Sequence, residues 1–268
     1  MEIRVLGPLQ VVSSAGEATA VQRAKPASVL AVLVMHTRTQ VGVDQLLQAL
    51  WGDAPPATAV KTLQTYVAQV RRLLGDDRDL LVTTASGYRL EIAALATDAG
   101  RFERLVRQGQ EQLGGSPGAA HRHFVGALEL WRGSAYSDFA FADFAHDEIL
   151  RLEELRLTAQ EGRVEALLRA GRAAEVVSDL QELTRRHPLR EGLWAQLLRG
   201  LYAAGRQSEA LGAYARVREL LARELGVDPG PELQQLEQQA LAHELDIPLA
   251  ADEPAVRGAA AAPPAEQR

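Results

Sequence analysis

The fold of this chain is decided by residues 58–74, which read TAVKTLQTYVAQVRRLL. Apolar residues spaced three and four apart predict an amphipathic helix. Its predicted buried stripe is Val60, Leu63, Val67, Val70 and Leu74. The opposite face carries Lys61, Thr62, Thr65, Gln69 and Arg72, with Arg71 at its edge. No acidic residue occurs between Ala54 and Gly75, whereas ordinary solvated faces mix both charges, so the pattern indicates a negatively charged partner.

Charge is unevenly divided along the rest of the chain. The 268 residues carry a net charge of −6, but residues 1–97 carry +1 and the remainder −7. The two lysines, Lys25 and Lys61, both lie in the first part. Because phosphate would be repelled by the acidic remainder, we expect a DNA-facing domain at residues 1–97 and a protein-facing domain after it.

Composition excludes several classes of protein. Hydrophobic residues make up 47% and charged residues 24%, as in ordinary soluble globular proteins. The chain has no cysteine, which excludes disulfides and cysteine-based zinc sites. No apolar run reaches the roughly 18 residues of a membrane span, and the first residues do not read as a signal peptide. We therefore expect a cytoplasmic protein with no membrane partner.

The segments around the cationic helix follow the order of a winged helix-turn-helix. Alternating stretches predict strands near residues 3–5, 9–11 and 18–21. Helices are predicted at residues 26–37, 43–51 and 58–74, with Gly52 ending the second and Thr58 capping the third. Residues 81–84 and 88–92 then form a hairpin, the wing. In this plan the third helix enters the major groove and the wing lies beside the backbone or minor groove.

Two sets of DNA contacts follow from this plan. The predicted base contacts are Thr62, Thr65, Gln69 and Arg72. The predicted phosphate contacts are Lys25, Lys61 and Arg71, together with Thr84 and Arg89 of the wing. An arginine can bind guanine through two hydrogen bonds, a glutamine can bind adenine, and a threonine methyl group can contact thymine. Phosphate contacts set the register and make the affinity depend on salt.

The second part is almost entirely helical in pattern, and it contains an internal repeat. Gly171-Arg172-x-x-Glu175 recurs 34 residues later as Gly205-Arg206-x-x-Glu209, which is the tetratricopeptide period. Helices are predicted at residues 98–113, 119–131, 142–170, 173–186, 189–204, 207–224 and 231–244. An irregular helical bundle is the alternative. The expected fold class is mainly α with a small β component, a winged helix-turn-helix at 1–97 followed by an all-helical tetratricopeptide-like domain at 98–249. A disordered tail is expected at 250–268.

No catalytic constellation is found in the sequence. With lysine only at Lys25 and Lys61, the chain cannot supply a phosphate-binding GxxxxGK[ST] loop. It also lacks a GxSxG elbow and an HExxH zinc motif. His121 and His123 form a pair without a third ligand, which is a poor metal site. We expect no enzyme activity, no cofactor and no metal.

Several motifs resemble one known family. Residues 50–75 (LWGDAPPATAVKTLQTYVAQVRRLLG) and 86–92 (SGYRLEI) resemble the OmpR-type DNA-binding domain of the Streptomyces antibiotic regulatory proteins. Six further segments resemble the family's bacterial transcriptional activation domain: FERLV (102–106), ALELWRG (127–133), RLEELRL (151–157), HPLRE (187–191), GRQSEAL (205–211) and ELGVDPGPEL (224–233). The resemblance covers roughly residues 2–245, and the chain resembles the family's small members, which lack an ATPase module.

The resemblance implies a transcriptional activator of a secondary-metabolite, or antibiotic, gene cluster. It also implies a homodimer bound head to tail on direct repeats in promoter DNA and a contact with the sigma factor of RNA polymerase. Two departures bear on specificity. Ala68-Gln69 stands where the family often has Ser-Arg, and Lys25 is followed by Pro26-Ala27-Ser28 rather than Gln-Arg. Two alternatives stay open: a ligand-sensing regulator whose helical domain binds a small molecule, and a protein-interaction scaffold.

Overall fold

The computed structural model describes residues 1–21 and 24–245. It contains two compact units, Met1–Arg163 and Val164–Arg268, and the boundary between them falls within one long helix. The predicted domain boundary at 97/98 therefore differs from the boundary of the compact units. The predicted disordered tail lies outside the described residues.

The first unit begins with a three-stranded antiparallel sheet. Its strands are β1 (Glu2–Arg4), β2 (Gln10–Val12) and β3 (Ala18–Ala20), in the order β1-β2-β3. Ile3 pairs with Val11, which pairs with Thr19. Ile3 and Val11 are buried, whereas all of β3 is exposed, so the sheet packs its first two strands into the core.

Three helices and a second sheet build the predicted winged helix-turn-helix. The helices are α1 (Ala24–Met35), α2 (Val43–Trp51) and α3 (Ala59–Leu73). The strands are β4 (Val41–Gly42), β5 (Leu81–Thr83) and β6 (Gly87–Leu90), in the order β4-β6-β5. Gly52 follows α2 with φ 61°, a conformation that favours glycine, which confirms the predicted helix end. Thr58 occupies the position before α3, but its side chain makes no capping hydrogen bond.

The wing depends on a close approach of β4 to β6. Gly87 opens β6 opposite Gly42, and a Cβ atom added at Gly87 would lie 1.9 Å from the carbonyl oxygen of Val41. Only glycine leaves room for this contact. The wing is therefore held against the strand that precedes α2.

The N-terminal sheet is joined to the helices that follow the wing. Helix α4 (Asp98–Gln112) is capped by Thr97, whose side chain accepts a hydrogen bond from the N–H of Gly100. The buried Asp98 carboxylate accepts hydrogen bonds from the N–H groups of Val5, at 2.7 Å, and Leu6, at 3.0 Å. Asp98 also lies 3.3 Å from the Arg132 guanidinium. These contacts cross the predicted 97/98 boundary.

Two glycines shape the helical part of the first unit. Helix α5 (Pro117–Leu128) places the buried Phe124 ring against α4 and against α6 (Asp143–Arg169). A Cβ atom added at Gly109 or at Gly162 would lie 2.8 Å or 2.4 Å from this ring. The ring therefore occupies the space that both residues leave by lacking a side chain.

The second unit contains the predicted repeat. After the end of α6 come α7 (Val177–Arg186), α8 (Glu191–Ala203), α9 (Gln207–Leu225) and α10 (Pro231–Ala242). Gly171 and Gly205 have φ angles of 72° and 74°. The arginine after each glycine pairs with the glutamate three residues later, at 2.6 Å and 2.7 Å. The first predicted repeat helix is shorter than expected, because Ala173–Glu175 form a 3-10 turn before α7.

Candidate nucleic-acid interface

Helix α3 turns its apolar stripe into the first unit. Ala59, Leu63, Val67 and Val70 are buried. The prediction for Val60 is wrong, since this side chain is 50% exposed. Ala59 begins the buried stripe instead, and the next residue along a helix points about 100° away from it. An apolar side chain is thereby left on the surface at the start of α3.

The exposed face of α3 is rotated slightly from the predicted one, so that Gln64 and Ala68 lie on it and Thr62 and Gln69 lie at its margin. We define the α3 strip as its exposed residues spaced three and four apart: Lys61, Gln64, Thr65, Ala68 and Arg72. Thr62 and Gln69 are half-buried and flank it. Gln64 was missed by the sequence analysis, although its spacing of three from Lys61 and four from Ala68 could have identified it.

The two threonines use their hydroxyl protons within the helix. Thr62 Oγ1 donates to the carbonyl oxygen of Thr58 at 3.0 Å, and Thr65 Oγ1 donates to that of Lys61 at 3.2 Å. Each hydroxyl oxygen therefore keeps acceptor lone pairs, which suit a hydrogen-bond donor on a base edge.

The C-terminal end of the α3 strip borders a cleft. Gln69 and Arg72 line this cleft of about 680 Å³ together with Ala18, Thr19 and Ala20 of β3. The structure thus brings two predicted base contacts to the edge of the N-terminal sheet.

The predicted cationic contacts fall into two groups. The Lys61 ammonium and the Arg72 guanidinium make no hydrogen bond or ion pair with any residue in the described part of the chain. Lys25, Arg71 and Arg89 have intramolecular partners instead. The Lys25 ammonium donates to the carbonyl oxygen of Leu50 and lies 5.7 Å from the centre of the Trp51 ring.

Arg71 is hydrogen-bonded to the wing, and Arg89, a residue of β6, is paired with a glutamate just after that strand. Arg71 Nη2 donates to the Leu81 carbonyl oxygen and to Thr83 Oγ1, each at 2.8 Å. Arg89 Nε donates to the Glu91 carboxylate at 2.5 Å. Arg71 therefore links α3 to β5 in the unbound protein.

The wing tip is fixed by backbone and side-chain contacts. The N–H of Thr84 donates to the Gly87 carbonyl oxygen at 2.9 Å, while Thr84 Oγ1 is buried and has no hydrogen-bond partner among the residues that the structure describes. Ser86 accepts a hydrogen bond from Gln40 at 2.6 Å through its hydroxyl, and one from the N–H of Val43 at 3.1 Å through its carbonyl oxygen. These bonds set the wing against the start of α2.

The carboxyl group of Glu2, in the N-terminal sheet, has a strongly lowered pKa. The hydrogen bond from Arg101 lowers the pKa of Glu2 to about 2, with a further contribution from Arg4. The Glu2–Arg101 contact joins β1 to α4 at 2.5 Å. It belongs to the scaffold of the first unit rather than to the α3 strip.

Within residues 1–21 and 24–245, no three His, Asp or Glu side chains are grouped so that they could hold a metal ion. None of the helices described there combines the length and apolar character needed to cross a membrane.

Comparison with known proteins identifies the family. Residues 97–241 match the bacterial transcriptional activator domain, and residues 21–90 match the C-terminal domain of transcriptional regulatory proteins. The regulatory protein DnrI of Streptomyces peucetius is 40% identical over 251 residues, which cover 90% of this chain and 92% of DnrI. The chain belongs to the Streptomyces antibiotic regulatory protein family.

Other relatives agree with this membership. The transcriptional regulator RedD of Streptomyces coelicolor is 33% identical, over 93% of this chain and 73% of RedD. A solved structure of Mycobacterium tuberculosis EmbR, in complex with a low-affinity phosphopeptide, aligns with a TM-score of 0.87 at 38% identity. The alignment covers 91% of this chain and 66% of that one. By sequence, the chain spans 63% of the length of EmbR.

Membership in the Streptomyces antibiotic regulatory protein family establishes the general role of the chain. It is a transcriptional regulator with an OmpR-type DNA-binding domain and a bacterial transcriptional activator domain. The predicted fold class is confirmed by the match to EmbR. Members of this family are regulators of transcription, not enzymes.

Proposed function

We propose that this regulator activates a secondary-metabolite gene cluster by binding direct repeats in its promoters. The observation that carries the proposal is the α3 strip, which combines hydrogen-bonding side chains with two cations, Lys61 and Arg72, that have no partner among residues 1–21 and 24–245. A strip of this chemistry on the third helix of a winged helix-turn-helix suits the major groove.

The residues of the interface take different roles in this proposal. Arg72, Thr65 and Gln64 meet base edges, with Thr62 and Gln69 at the flank. Lys61 binds a phosphate, as do Arg89 of the wing and Lys25 beside α2. Thr84 is left out of the predicted phosphate contacts, because its hydroxyl oxygen is buried and its N–H group is bonded to Gly87. Arg71 holds β5 against α3 through Leu81 and Thr83, so it positions the wing before any phosphate contact.

Two protomers act together in the proposal, because one winged domain covers only a short site. A homodimer lies head to tail on repeats about one helical turn apart, roughly 10–11 base pairs. The bacterial transcriptional activator domain presents the surface that meets the sigma factor of RNA polymerase. The protein works in the cytoplasm, on the nucleoid.

Two substitutions test the roles assigned to α3. Arg72→Ala should lower the ratio of specific to random affinity by roughly 5- to 150-fold, since a two-bond contact with guanine is worth about 1–3 kcal/mol. Lys61→Ala should weaken both complexes equally and flatten the salt dependence by about one phosphate contact. Gel shifts at two salt concentrations, with random duplex as competitor, measure both effects.

The matched control is Arg107→Ala, which removes an exposed arginine from α4. It should leave both affinities and the salt dependence unchanged. If Arg72→Ala kept the ratio of specific to random affinity, the orientation proposed for α3 would be wrong. If the unaltered protein showed no salt-sensitive shift on any promoter of its gene cluster, the DNA-binding proposal itself would fail.

A further inference from the structure

A groove of about 600 Å³ crosses three helices of the second unit. Its walls come from α7 and α9, the first helices of the two repeats, and its floor comes from α8 and the residues before it. In stacked helix pairs, the first helices of successive repeats line one concave face, which serves as a binding surface. The groove lies away from the α3 strip in sequence and belongs to the second unit alone.

The floor of the groove is apolar and rigidly held. Trp194 is 8% exposed, and its indole Nε1 donates to the carbonyl oxygen of Pro188 at 2.8 Å. Leu197 is buried beside it, and Leu220 of α9 is half-buried at the groove. A fixed indole with neighbouring leucines is suited to one apolar side chain of a ligand.

Three arginines surround this floor: Arg185 of α7 and Arg216 and Arg223 of α9. The Arg216 guanidinium makes no hydrogen bond or ion pair with the described residues. Arg185 is paired with Glu182 and Arg223 with Glu224, but both arginines are about 70% exposed, at 71% and 69%. Exposed pairs of this kind contribute little to stability, so an arriving carboxylate can replace them.

The charge of the groove opposes that of its surroundings. Residues 164–245 contain ten arginines and twelve acidic residues, yet three arginines stand against one acidic lining residue, Glu219. Guanidinium groups bind carboxylates through paired hydrogen bonds and match them better than a compact ammonium does. We infer that this arginine groove binds an acidic peptide segment of a partner protein, with one apolar side chain on Trp194 and carboxylates on Arg216 and Arg223.

The inference can be tested with the full chain and a labelled probe. The probe is an Asp/Glu-rich peptide of about ten residues with a central Leu-Phe pair, and binding is followed by fluorescence anisotropy. Arg216→Ala should weaken binding about tenfold, the equivalent of one lost charge-assisted hydrogen bond. Leu220→Ala should also weaken binding but leave its salt dependence unchanged.

Arg218→Ala is the matched control, because it removes an exposed arginine of α9 that does not line the groove. It should bind the probe as the unaltered protein does. Equal losses in the Arg218 and Arg216 variants, or no saturable binding at low salt, would overturn the inference. Equal binding of a peptide with serine in place of every acidic residue would overturn it too, as would displacement of the probe by single-stranded DNA.

Discussion

Asp98 joins the start of the chain to α4 in the first unit. Its buried carboxylate accepts the N–H groups of Val5 and Leu6, which Asp98→Ala would leave without acceptors. The free energy of unfolding should fall by about 2–6 kcal/mol, since each of the two buried unpaired donors costs about 1–3 kcal/mol. Denaturant unfolding measures the change.

The control is Asp79→Ala, which removes a carboxylate that is 95% exposed and should change stability by less than about 0.5 kcal/mol. Equal stabilities of the two variants would contradict this role for Asp98.

Single residues also show how far sequence could predict the site. The cationic face of α3 was visible because helical spacing is a local property. The partner of Lys25 was not, because the Leu50 carbonyl oxygen lies 25 residues away in sequence. The link from Arg71 to Thr83 was hidden for the same reason. Whether a cation is free to bind phosphate is decided by such distant contacts.

At the scale of elements, the wing is positioned by its contact with β4. Gly87→Ala would place a Cβ atom 1.9 Å from the Val41 carbonyl oxygen and force β6 away from β4. We expect a loss of about 2–4 kcal/mol in stability and weaker DNA binding at every sequence, because the wing moves away from its place beside α3. Thermal unfolding and gel shifts measure the two effects. Gly42→Ala, on the paired strand, meets no atom within 4 Å and should be tolerated; a comparable loss there would show that steric crowding is not the cause.

The order of the elements was predictable, whereas their exact packing was not. Alternation and helical periodicity gave the helices of the winged helix-turn-helix in the right places. They also put Val60 in the core, because spacings of three and of four both fit a helical stripe: Val60 lies three residues before Leu63 and Ala59 lies four before it. The 3-10 turn at Ala173–Glu175 has no period of its own to reveal it.

For the whole molecule, the first compact unit extends well past the OmpR-type domain. A fragment of residues 1–97 would lose the acceptor for Val5 and Leu6 and the N–H groups of Arg132 and Tyr136 that bond to their carbonyl oxygens. We expect it to unfold at a lower denaturant concentration than a fragment of Met1–Arg163. Circular dichroism during urea unfolding provides the comparison. If the shorter fragment were as stable as the longer one, the contacts across residue 97 would be incidental to folding.

The contacts of Asp98 with Val5 and Leu6, the residues after β1, also have a consequence for exchanging promoter specificity between relatives. A chimera joined at residue 97 would combine one protein's N-terminal strands with another's α4 and α5. The backbone of Val5 and Leu6 would then have to form its hydrogen bonds with groups from a different parent. A chimera that exchanges Met1–Arg163 as a whole would take the donors and the acceptors of these hydrogen bonds from the same parent. Within this family, the piece that can be exchanged is thus larger than the piece that reads DNA.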